Sequence, residues 1–155
     1  MRSGQIVFFC LIGLSVLTFG WRPAAADRAP SPVEAEAMAL RGLQTEFMVA
    51  ALQCRYAADP TLAPLYNDFV RRFGKELIVN ARVLRGFFRR TYGNAHQKRF
   101  DGWLTGLANA AALRGTRPEF CGEAGATLRV ALRLDGPALR RLALKREVPE
   151  IAALR

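Results

Sequence analysis

The stretch RVLRGFFRR, residues 82–90, threads arginines with phenylalanines. On a helix, at about 100° per residue, Arg71, Lys75, Arg82, Arg85 and Arg89 fall within a sector of about 80°. At 1.5 Å per residue the row from Arg71 to Arg89 is about 27 Å long. Guanidiniums hold phosphates and carboxylates in bidentate fashion, most strongly at low salt, so the row is a candidate anion-binding face. The competing reading is an ordinary solvated face. Arginine outnumbers lysine 20 to 3 in a chain also rich in alanine and glycine, a bias that G+C-rich coding produces without any ligand. Arginine stems also lie along apolar surface while their heads stay wet. The phenylalanines of the same stretch project to the opposite, core side, so the interleaving follows from helical geometry.

Asn80 is the second residue of chemical interest. It falls at the centre of that helix's apolar stripe, where an unpaired amide costs about 1–3 kcal/mol. A buried network with Asn109, Gln44 or Thr45 would satisfy it, and a small-ligand pocket between helices is the functional rival. Glu46, Glu76 and Asp101 stand beside apolar positions where burial could tune a carboxyl for acid catalysis. Nothing in the sequence pairs them, and Glu76 lies one turn from Arg72 and Asn80, the spacing of an ordinary helix-surface interaction. His96 is the single histidine. There is no H-E-x-x-H pair and no glycine-rich phosphate loop after a strand, so neither a metal nor a cofactor is expected. A serine nucleophile with a histidine base is excluded, because the one serine beyond the N-terminal segment is Ser31, placed as a helix cap. The expectation is therefore a protein that is not an enzyme.

The N-terminus reads as a cleaved secretory signal. Arg2 supplies the positive charge, Ile6 to Phe19 is uncharged and mostly apolar, and Ala24 to Ala26 form an A-x-A type cleavage site. The apolar stretch is shorter than the roughly 20 residues that cross a hydrocarbon core, so no membrane span is expected after cleavage. The expected location is the periplasm. Of 23 basic residues Arg2 and Arg22 leave with residues 1–26, so 21 remain against 13 acidic ones, a net charge of +8 on the mature chain. Only Cys54 and Cys121 remain of the cysteines, and an oxidising compartment joins such a pair. They stand 67 positions apart, and closing that loop is worth roughly 4 kcal/mol in the chain-entropy model.

The rest is punctuated for helices. Ser31, Pro32 and Glu34 make a capped start, and the first helix should run to about Ala57. Asp59-Pro60 opens a second helix that continues to Gly93. Asn94, with Gln97, caps a third. Thr116, Pro118 and Glu119 open a fourth, and Asp135-Gly136-Pro137 starts a short fifth ending near Glu147. Apolar residues recur at helical spacing in each, and the run Phe47 to Leu52 suggests a first helix buried nearly all round. The expected architecture is an all-α, up-and-down four-helix bundle with a short C-terminal fifth helix and one disulfide. Residues 1–26 are the signal, 27–134 the bundle, and 135–155 a basic helix and tail that docks on it. In such a bundle the end of the first helix and the start of the fourth share a pole, which is where Cys54 and Cys121 fall.

The strings LQTEFMVAALQC, YNDFVRRFGKELIVNARVLRGFFRRTYG, LANAAALRG and FC, over residues 40–122, resemble a group of small exported proteins of Gram-negative bacteria without assigned function. Its paired cysteines agree with the bridge, and it implies no catalytic or binding residue. The sequence thus points to an exported binding or structural interaction module to which it assigns no partner, an envelope protein or an anionic envelope component being the candidates. One alternative is an electrostatic binder of anionic envelope components. A second is a carboxylate-dependent cell-wall hydrolase, which needs two carboxyl groups about 5–9.5 Å apart in a cleft. Export argues against nucleic acid as a partner.

Overall fold

A computed structural model describes residues 29–54 and 60–146. The expected signal peptide, the last residues of the first helix, Asp59 and the tail beyond Arg146 lie outside the described residues. Among the described residues six α-helices carry the fold: α1 (Pro32–Gln53), α2 (Leu62–Arg72), α3 (Gly74–Tyr92), α4 (His96–Arg114), α5 (Phe120–Ala131) and α6 (Gly136–Lys145), with a 3-10 turn at Gly93–Ala95. The protein is all-helical, with no strand among the described residues.

α1 begins where its cap dictates. The Ser31 N–H donates to Glu34 Oε2 at 2.8 Å, and the Glu34 N–H donates to Ser31 Oγ at 3.3 Å, closing a capping box. α1 then packs against each of the other five α-helices. Its Met38, Leu40, Leu43 and Phe47 are sealed from water, together with Phe69, Phe87, Phe88, Phe120 and Leu128 from its neighbours. Side chains of this size contribute roughly 1.5–3 kcal/mol each when fully buried. Leu52 departs from the expected all-round burial: it is 62% exposed, while Ala50, Ala51 and Cys54 beside it are buried.

Several expected boundaries are corrected. The single helix placed over 59–93 is two, divided at Phe73, whose backbone at φ −102° and ψ 17° leaves the helical region. Gly74 follows, a residue with little helical preference, and the turn lets Phe73 bury to 2% exposure against Phe69, ring centroids 5.2 Å apart. Asn94 does not cap α4; it lies in the 3-10 turn, and Gln97 donates to Asp101 instead. Thr116 donates to the Leu113 carbonyl, closing the end of α4 instead of opening α5. Asp135 caps α6 as expected, accepting from the Ala138 N–H at 2.8 Å. Gly93 ends α3 at φ 51°, a conformation that only glycine adopts cheaply.

The disulfide joins Cys54, just past α1, to Cys121 in the first turn of α5, with Cα atoms 5.7 Å apart. α6 docks on α1 through Leu139 and Ala143. The buried Glu46 of α1 clamps two other helices: Arg114, at the end of α4, reaches it at 3.4 Å, and Arg146, at the end of α6, at 2.9 Å. No helix among the described residues is long and apolar enough to cross a membrane.

Candidate functional site

The break at Phe73 divides the expected cationic row. Lys75, Arg82, Arg85 and Arg89 lie on α3, about 21 Å from end to end at helical rise, while Arg71 belongs to α2. All five are exposed. Arg71 is ion-paired with Asp68. Lys75, Arg82, Arg85 and Arg89 have no acidic partner among the described residues, so their charge is uncompensated.

The face is not purely polar. Ile78 is 58% exposed and Val70 36%. With Leu77 and Ala81 they floor a groove of about 440 Å³ whose edge carries Arg82 and Arg85. Behind it lies Arg41 of α1, half-buried, with Nη1 donating to Gln44 Oε1 at 2.9 Å and Nε without a hydrogen-bond partner. Burial pushes the Arg41 pKa down; Tyr66 opposes this, and the like charge of Arg85 adds to the lowering. Arg41 and Arg85 thus bring two like charges to the back and the edge of this groove.

A second groove, of about 470 Å³, opens between α1, α3 and α6. Leu40, Val79 and Val83 supply apolar lining; Lys75, Glu76 and Asn80 supply polar groups; Glu36 and Arg140, 3.5 Å apart, stand at its edge. Asn80 is 5% exposed, and its Nδ2 has no hydrogen-bond partner. None of the expected partners reaches it: Asn109 is exposed, Gln44 accepts from Arg41, and the Thr45 hydroxyl donates to the Arg41 carbonyl at 2.9 Å. Of the α1 residues lining this groove, Val33, Ala37 and Leu40 offer no polar side-chain atom, and Glu36 is paired with Arg140.

The carboxylates considered for acid catalysis have separate surroundings. Glu46 is held by Arg114 and Arg146, Glu76 lines the second groove, and Asp101 is exposed, accepting from Gln97 at 3.0 Å. Among the described residues no cluster of three or more His, Cys, Asp or Glu side chains could hold a metal. His96 opens α4, its Nδ1 2.8 Å from the Gly93 carbonyl oxygen.

Sequence reasoning missed Ile78, although the signal was present. At 100° per residue Ile78 falls within the same sector as the arginines, so an exposed apolar residue among them was readable. Arg41 and Arg140 were not, because only packing brings α1 and α6 beside α3. Known proteins give no further guide: no family model matches the chain, and neither a curated protein nor a solved structure matches it.

Proposed function

We propose that the protein is an exported, periplasmic interaction module that docks on an anionic lipid surface of the cell envelope through the α2–α3 face. The observation carrying this reading is the exposed Ile78, set with Val70 among Lys75, Arg82, Arg85 and Arg89, none of which has an acidic partner among the described residues. Cations alone would suit any polyanion. An apolar residue standing in the middle of them suits a lipid interface, where it enters the boundary between headgroups and acyl chains while the guanidiniums hold phosphates. A polysaccharide offers nothing comparable to Ile78.

The underlying scaffold in this reading is an up-and-down bundle. The bridge from the end of α1 to the first turn of α5 supports that order. So do the Arg90–Glu34 pair, between the end of α3 and the start of α1, and the Arg114–Glu46 pair, between the end of α4 and the second half of α1.

Sedimentation with phosphatidylglycerol-containing vesicles tests the function, with pure phosphatidylcholine vesicles as the control. Binding should be confined to the anionic vesicles and fade between about 50 and 300 mM salt, where screening shortens from roughly 14 to 6 Å. A basic side chain near such a surface is worth about 1 kcal/mol, so reversing Arg82, Arg85 and Arg89 to glutamate should weaken binding at least a hundredfold. Ile78→Asp should weaken it too, while Ile78→Leu should not. Equal binding to both vesicle types, or binding indifferent to salt, would defeat the proposal.

A further inference from the structure

We propose that the groove between α1, α3 and α6, which shares Lys75 with the basic face, is a second binding site, for short apolar peptides with a free α-ammonium group. The charges available there select this chemistry. Glu76 is half-buried at the groove, with Gly136 of α6 so close that a methyl group there would meet its Oε1 at 3.2 Å. It has no ion-pair or hydrogen-bond partner among the described residues, although Arg72, one turn away, was the partner its spacing suggested. Arg72 instead donates to the Leu134 carbonyl at 3.1 Å. The adjacent Lys75 is equally unpaired. Glu36 and Arg140 at the edge, by contrast, neutralise one another.

Among the described residues the groove therefore presents one unpaired anion, one unpaired cation and, through Asn80, one buried amide without a partner for its nitrogen. Whichever way the amide is turned, one of its polar atoms is left wanting, and leaving such a group unmade is costly. A side-chain amide offers a donor and an acceptor on one plane, the complement of a peptide group. A peptide of two or three residues meets all three demands at once: its ammonium pairs with Glu76, its carboxylate with Lys75, and its peptide group with Asn80. Its side chains then cover Leu40, Val79 and Val83. A fatty acid would leave Glu76 facing apolar chain or a second negative charge, and an apolar amine would leave Lys75 unanswered. The volume lies in the range of small-ligand sites.

Calorimetric titration of the purified protein with trileucine, N-acetyl-trileucine, trileucine amide and triserine tests the assignment, with amide chemical shifts at Val79, Asn80 and Val83 locating the ligand. Trileucine should bind and shift those signals, and triserine should not. Acetylation should cost about tenfold or more in the natural protein and almost nothing in Glu76→Gln, because a charge-assisted bond is lost only where the carboxylate exists. Amidation of the carboxyl end should also weaken binding. Asn80→Leu should abolish binding while its thermal midpoint stays at or above that of the natural protein, since an unpaired buried group is removed. Equal affinity for free and acetylated peptide, no shift at the groove, or undiminished binding by Asn80→Leu would each overturn the proposal. Vesicle binding by Asn80→Leu should be unaltered, which separates this site from the basic face.

Discussion

Glu34 serves two helices at once. Its carboxylate accepts from the Ser31 N–H at the start of α1 and takes both oxygens to Arg90 of α3, at 3.0 and 2.8 Å. Burial acts to raise its pKa, but the Ser31 and Arg90 bonds together outweigh it and hold the carboxyl below its ordinary value of 4.5. A carboxyl whose folded pKa is depressed adds stability above its unfolded value and loses it as pH falls through the folded one. Urea midpoints should therefore separate the natural protein from Glu34→Gln at pH 7 and pH 5, and the two should converge once the pH drops well below about 4.5. Parallel curves down to the lowest pH at which the protein folds would show that the charge on Glu34 contributes nothing. The cap itself was legible, since Ser31 and Glu34 stand three apart ahead of an apolar run. Arg90 as the partner was not, being 56 positions away in the chain.

At the scale of elements, the division of α2 from α3 decides which residues share a surface. A helical wheel drawn through 59–93 assigns the apolar side correctly, because Phe69, Phe73, Leu77, Leu84 and Phe88 are all buried. Phe87, 1% exposed, joins Phe88 in the core, as expected of both phenylalanines of the stretch. The wheel fails on continuity, since periodicity carries no information about one residue leaving the helical region. Gly74 has no neighbour that an added methyl would strike and no positive φ. Gly74→Ala should accordingly raise stability by about 0.4–1 kcal/mol, chiefly by restricting the unfolded chain. Chemical denaturation measures this. A loss of stability in that variant would mean that the turn at Phe73 depends on the glycine and not on the burial of the phenylalanine ring.

Across the whole molecule, α1 is the axis on which the other helices depend, and three kinds of tie fasten it. Apolar packing fills its length, Glu46 gathers the ends of α4 and α6, and the bridge from Cys54 holds the start of α5. The bridge closes 67 residues, so its reduction should lower unfolding free energy by roughly 4 kcal/mol, read as a shift in denaturant midpoint with and without reductant. An unchanged midpoint would place the stability in the packing alone. By itself the sequence determined the helical class, the capped starts at Ser31 and Asp135, the faces that turn inward and the pairing of the cysteines. Each of these rests on local periodicity, on cap chemistry or, for the cysteines, on the expected removal of Cys10 with residues 1–26. Only the tertiary structure decided that, among the described residues, the Asn80 side-chain nitrogen finds no partner and Glu76 stands unpaired between α3 and α6, and that Arg41 sits behind Arg85. These depend on which side chains of distant segments meet across a helix interface, and a short-range pattern does not encode that.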